Sequence, residues 1–495
     1  MIARSDLGEA GFAHELFHKC HWDSADAALI PLCERQGHVA TQALFLRGRI
    51  ALRRDRTEAA EVFARRLSAR ADETSAGLAL VLRAGCELRR GEVERARQII
   101  SSGRTSASPL IRGHLACEEA LAYFIEPSRR PYIPSAESFT AFPNITARLL
   151  ILQSWHKQQR GHWREQLAAL DQALIALSAT TDPDRYLQAV ALHTKAAVAR
   201  ERPARASTAS LAYDIENFPW TSDIEREQFY CFSNVGWLAL LEGDAMRAYR
   251  FIRKAQRVAT ASPAHLAIAL TDSAAIADVV NDRTSASADR EEAFDLVTSI
   301  PDVALSDESS NVLVSLAEGF APTHPVNATL LLNRFSSLAP RRSKMHPPVA
   351  GNALLEGMVA HARGLVARHD GSKDAATHFE AAYHSFEGAE YVWRAAIVAR
   401  TLAQLSNAPR WRTQYERLSA GYPRSWFASS AQDTVTLSVA QREVLKLLIM
   451  GNQISDIARE RGTSVNTVRN QLAQIRRRYG VSSNARLLVK LREAS

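Results

Sequence analysis

The sequence predicts an all-α fold, and three observations carry that expectation. Apolar residues recur at three- and four-residue steps up to about Leu418, the spacing that places them on one face of a helix. Alternation of apolar and polar residues, the mark of a half-buried strand, is scarce. Short breaks at Gly91-Glu92, Gly161-His162, Gly243-Asp244 and Asp370-Gly371 cut the helical pattern into hairpins. With 495 residues the chain is too long for one ordinary core, so either about three domains or one long repeat array plus a small domain is expected.

Composition narrows the class. Hydrophobic residues make up 46% of the chain and charged residues 23%, as in soluble globular proteins. No stretch approaches the roughly 18 uninterrupted apolar residues of a membrane span. The opening MIARSDLGEAGFAHELFHKCHW has no apolar run long enough for a signal peptide, so a cytoplasmic location is expected. The five cysteines, Cys20, Cys33, Cys86, Cys117 and Cys231, are odd in number, widely spaced and without a C-x-x-C pair, which predicts reduced, buried thiols.

The helical hairpins repeat. The clearest copy runs from Phe232 to Pro263: small Gly236 permits a close helix approach, Gly243-Asp244 makes the turn, and Ala248, Ile252 and Ala255 form a stripe on the second helix. Leu80, Ala84, Gly91, Ala96 and Ile100 repeat the spacing. Gly161, Leu170 and Ala173 repeat part of it, and Gly364, Ala375, Phe379 and Ala382 do so with a turn one residue shorter. Residues 1–420 therefore resemble a tetratricopeptide-like α-solenoid, in which small residues at helix contacts permit stacking. Such a stack implies a concave surface suited to a protein, peptide or small-molecule partner, or to dimerisation. The segment 421–436, GYPRSWFASSAQDTVT, loses helical periodicity at Pro423 and at its Ser/Ala/Asp run, and reads as a linker.

The remaining residues, 437–495, hold nearly all the excess charge. They contain eleven Lys/Arg against four acids, which is +7 of the chain total of +8. That asymmetry points to a polyanionic partner. Four short helices are expected here. The first runs from about Ser438, a good N-cap, to Met450, with Val444, Leu445, Leu447 and Leu448 apolar and Gly451 ending it. The second lies near Gln453 to Arg461, with Ile454, Ile457 and Ala458 inward and Gly462 closing it. The third starts after Ser464 and the fourth near Ser482 or Ser483.

In the third helix Val465, Val468, Leu472, Ile475 and Tyr479 fall on one face. The opposite face, Asn466, Thr467, Arg469, Asn470, Ala473, Gln474 and Arg477, is polar, basic and free of acids. Amide and guanidinium groups can read base edges in the major groove, while hydroxyl and basic groups can hold phosphate. Two short helices joined by a tight turn, the second bearing such a face, match the helix-turn-helix arrangement.

The segment resembles the DNA-binding domain of the LuxR family of transcription regulators. Leu437-Ser438, Glu443-Val444-Leu445, Gly451, Ile457-Ala458, Ser464, Thr467-Val468-Arg469, Ile475 and Gly480-Val481-Ser482 fall in register with it over about fifty-five residues. The resemblance implies double-stranded DNA as partner, with contact through Ser464, Asn466, Thr467, Val468, Arg469, Asn470, Gln471, Gln474, Arg477 and Arg478. It also implies a homodimer formed through the fourth helix. The chain departs from the usual family pattern at Ala440-Gln441, Ser455, Arg461, Thr463 and Gln471. The expectation is a DNA-binding transcription regulator, without enzyme activity, metal or cofactor.

Two other readings compete. One is a non-catalytic interaction scaffold with a degenerate helix-turn-helix. The other is a zinc metallopeptidase, because His14-Glu15-Leu16-Phe17-His18 spells H-E-x-x-H, which on a helix puts two histidines on one face beside a potential general base. The sequence shows no matched third ligand, and ordinary helix residues are the expectation. No G-x-x-x-x-G-K-[ST] loop occurs, so an ATPase module is not expected.

Overall fold

The structure, a computed structural model, describes residues 8–106, 108–126, 134–159, 161–201, 208–279, 282–302, 305, 307–345, 353–406, 408–420, 438–479, 481, 483, 484 and 486–488. Among them every regular element is helical, with no strand. No described helix is long and apolar enough to cross a membrane. The chain divides into two compact units. The first comprises 1–195, 218–227 and 340–350, and the second 196–217, 228–339 and 351–495.

The first unit begins with α1 (Gly8–His18), α2 (Trp22–Leu29), α3 (Gly37–Arg53), α4 (Thr57–Ser68) and α5 (Glu73–Arg89). It continues with α6 (Val93–Gly103), α7 (Pro109–Ile125), α8 (Pro143–Gln159), α9 (Trp163–Ser178) and the start of α10 (Arg185–Glu201). Helices packing on sequence neighbours are the rule. Thus α3 packs on α4, α4 on α5, α5 on α6 and α8 on α9, while α3, α5 and α7 also pack in succession. The outer helices are amphipathic at the expected spacing: α4 buries Ala60, Ala64 and Leu67, α6 buries Val93, Ala96 and Ile100, and α9 buries Leu170, Ala173 and Leu177. Each buried Leu or Ile stabilises such a contact by about 1.5–3 kcal/mol. All five cysteines, four of them in this unit, are buried and none is in a disulfide.

The second unit contains the end of α10, then α11 (Thr208–Asn217), most of α12 (Glu225–Leu241), α13 (Ala245–Val258), α14 (Pro263–Val279) and α15 (Arg283–Ser299). After these come α16 (Asp307–Phe320), most of α17 (Pro325–Met345), α18 (Ala353–His369), α19 (Ala375–Gly388), α20 (Val392–Ser406) and α21 (Pro409–Ser419). The expected hairpin at Phe232–Pro263 is present as α12 and α13. A Cβ on Gly236 would stand 2.8 Å from Ile252 Cδ1, so any larger residue here would force the Ile252 side chain to shift. Gly243 turns the chain at φ +85°, and Asp244 caps α13 by accepting from the Arg247 N–H at 3.0 Å. Ala248, Ile252 and Ala255 are buried together. The other expected breaks, at Gly91, Gly161 and Gly371, also fall on left-handed glycines.

The chain ends in α22 (Val439–Ile449), α23 (Ile454–Glu460) and α24 (Val465–Tyr479), which pack on one another. Their core is separate from those of the other helices: Val444, Leu445, Leu447, Leu448, Ile457, Ala458, Val468, Leu472, Ile475 and Leu487. The expected linker 421–436 lies outside the described residues.

Candidate nucleic-acid interface

Local chemistry fixes each of the three helices. Ser438 and Gln441 form a reciprocal capping box that starts α22. Gly451, at φ +83°, ends that helix, and Gly462, at φ +59°, makes the turn between α23 and α24. The Ser464 Oγ accepts from the Thr467 N–H at 3.0 Å, which starts α24 where a serine cap was expected. The Ser483 Oγ likewise accepts from the Arg486 N–H at 3.1 Å, beginning a final helical turn whose Leu487 closes the core.

With Val468, Leu472 and Ile475 buried, α24 turns its other side to solvent. Ser464, Asn466, Thr467, Arg469, Asn470 and Gln474 are exposed, and Gln471 is half-buried. No carboxylate pairs with Arg469 among the described residues, so its guanidinium is available to an anion. The N-terminal turn of α24 carries no acid, and its unpaired backbone N–H groups add a partial positive charge on the same side.

Val468 is a correction to the expected contact set. Its side chain is 0% exposed and belongs to the core, because position 468 continues the stripe of Leu472 and Ile475. Arg477 and Arg478 lie on α24, but their side chains fall outside the described residues.

Two expected readers are held by neighbours. The Gln474 Oε1 accepts from the Gln441 Nε2 at 2.7 Å. The Gln471 Oε1 accepts from Arg461 Nη1 at 2.8 Å, and Arg461 Nε in turn donates to Glu443 Oε2 at 3.1 Å. Gln441, Arg461 and Gln471 are three of the positions that depart from the family pattern. Here they form a polar lattice joining α22, the end of α23 and α24. Thr463, another departure, buries an Oγ1 with no hydrogen-bond partner. Arg476 donates to Asn484 Oδ1 at 3.0 Å, across to the final helical turn. Among the described residues, Asn466, Arg469 and Asn470 are the expected contacts not held by a neighbouring side chain, and Thr467 shares a 2.8 Å hydroxyl contact with Ser464.

The opposite side of this small bundle meets other helices of its unit. Ile449 on α22 packs against the core formed by Ala239 and Leu240 of α12, Ala248 and Ile252 of α13, Ile276 and Ala277 of α14, and Ala286 of α15. Burial and the neighbouring Arg253 lower the Lys446 ammonium below its usual range, against the pull of Asp289 and Asp282.

The H-E-x-x-H motif has a different surrounding. His14 is exposed and His18 is buried on α1, with ring centroids 4.5 Å apart. Glu15 is engaged by Lys19. His14 Nδ1 meets Asp182 Oδ2 at 3.2 Å, and His18 Nδ1 lies 3.8 Å from Asp184 Oδ2. Burial lowers His18 to about 4, so its imidazole is neutral near pH 7. The carboxylates come from the loop after α9, which the sequence spacing gave no means of finding.

The second unit also holds a cavity of about 290 Å³. Trp237 and Trp393 stack there with centroids 6.1 Å apart, beside Arg200, Asp272, Glu318 and Arg394. Arg394 lies 4.5 Å from the Trp393 ring centre, and its guanidinium pairs with Glu318 at 3.6 Å.

No protein-family model matches this chain, and no curated protein matches it.

Proposed function

We propose that the chain is a cytoplasmic DNA-binding transcription regulator of LuxR type. In this reading residues 437–495 are a helix-turn-helix domain, and α24 enters the major groove of duplex DNA. Residues 1–420 are a tetratricopeptide-like α-solenoid that senses a partner or signal, with 421–436 as linker. The single observation behind the proposal is the exposed, acid-free face of α24, whose Arg469 has no counter-ion among the described residues and lies on the most basic segment of the chain.

The remaining features fit this reading. Asn466, Arg469 and Asn470 have the donors and acceptors that base edges require, and Ser464 and Thr467 have hydroxyls suited to phosphate. The aromatic cavity of the second unit has the size and mixed polarity of a small-ligand site, and supports a signal-binding role. A homodimer would read an approximately palindromic site with half-sites set by its two-fold symmetry. The test is a gel shift of the full chain against random and selected duplexes at two salt concentrations. Retardation that weakens steeply with salt is expected. Absence of retardation in dilute buffer overturns the proposal in favour of a protein-interaction scaffold.

A further inference from the structure

We propose that His14, His18 and Asp182 bind a divalent transition-metal ion of the zinc type, which pins α1 to the loop at 179–184. The inference is independent of DNA binding. One ring nitrogen from each histidine and one carboxylate oxygen of Asp182 lie within 4.8 Å of one another. The separation of His14 and Asp182, 3.2 Å between Nδ1 and Oδ2, is close to the edge of a tetrahedron with metal bonds of about 2.0–2.1 Å. The i, i+4 spacing on α1 places the two imidazoles on one face, in edge-on contact.

A second observation points to a ligand. His18 is only 7% exposed, and its Nδ1 is sealed from solvent with no hydrogen-bond partner among the described residues. An orphaned buried imidazole nitrogen is destabilising unless something completes it. Asp184, 3.8 Å from that nitrogen and beyond hydrogen-bond distance, is held by Arg53 and does not satisfy it.

The donors identify the class of ion. Two imidazoles and one carboxylate suit zinc, nickel or cobalt, whereas magnesium and calcium prefer oxygen-only surroundings. Three protein ligands leave one position for water. The one acidic side chain inside the motif, Glu15, is engaged by Lys19, so the role assigned is a clip and not hydrolysis. His14 and Asp182 are 168 positions apart, and an ion between them closes a long loop and holds the first helix in place.

The test uses the full chain, stripped with chelator and titrated with zinc chloride by calorimetry, with magnesium chloride as control. One zinc per chain is expected, with no response to magnesium. His14→Ala and Asp182→Asn, both at partly exposed side chains, should each weaken zinc binding at least ten-fold while the helical circular dichroism is retained. Equal zinc uptake by both variants would mean that other histidines hold the ion, and would overturn the proposal. Hydrogen exchange on the unaltered protein supplies a measurement that needs no variant. Zinc should slow exchange across α1, and unchanged exchange there would sink the clip.

Discussion

Arg469 and Asn470 occupy adjacent exposed positions on α24, yet they differ in what they can do. A guanidinium binds guanine bidentately or a phosphate as a charge, whereas an amide matches adenine. Arg469→Ala should weaken binding to a selected site by about 1–3 kcal/mol if it reads a base. If it holds phosphate, binding to all duplexes should weaken alike and the salt slope should flatten by about one unit. Gel shifts across a salt series separate the two, and unaltered binding would remove Arg469 from the interface.

A second residue-scale effect concerns His114, whose Nδ1 is sealed from solvent beside Phe45. Burial, then Arg49 and Arg148, hold its pKa well below the usual value. The unfolded chain takes up a proton near pH 6.5 that the folded chain refuses. Stability should therefore be full above about pH 6.5 and fall as the solution is acidified. Urea unfolding at pH 7.5 and 5.5 should show this loss, and His114→Gln should reduce it.

At the scale of elements, caps and cores contribute differently to the terminal bundle. Ser438→Ala removes the side-chain half of a capping box and should destabilise that bundle by about 1 kcal/mol. Leu472→Ala leaves a cavity among Val444, Ile457 and Ile475, and should cost about 2–5 kcal/mol. Thermal melts of the full chain, followed by hydrogen exchange in α22–α24, would check this order. A Leu472 effect smaller than that of Ser438 would show that the small core is not what holds α24.

Whole-molecule behaviour turns on α22, which contributes to its own bundle and also meets the α12–α15 core through Ile449. Lys446 stands where Asp289 and Asp282 attract it. Glu443 and Arg253 act there too, so Lys446→Glu adds a fourth acid, and repulsion by Asp289, Asp282 and Glu443 should loosen the contact against the attraction of Arg253. Exchange should quicken in α22 and in the facing helices. If this contact restrains the bundle, duplex binding should tighten. Unchanged exchange would show that the contact does not restrain it.

Much of this was legible in the sequence because it is local. The stripe from Val465 to Ile475, the caps at Ser438 and Ser464 and the turn glycines each depend on residues within a few positions of one another. The clamps on Gln471 and Gln474 were not legible, since their partners lie 10 and 33 positions away on other helices. The placement of Val468 was legible from periodicity, and the resemblance alone assigned it to DNA.

The sequence by itself determined that this chain is helical, where its hairpins turn, and that one polar helix face in a basic tail is free of acids. Those properties follow from backbone geometry and the order of neighbouring side chains. Only the tertiary structure decided which face residues remain unpaired, and that Asp182 joins His14 and His18. Both outcomes depend on side chains meeting across helices, and spacing along the chain does not encode those distances.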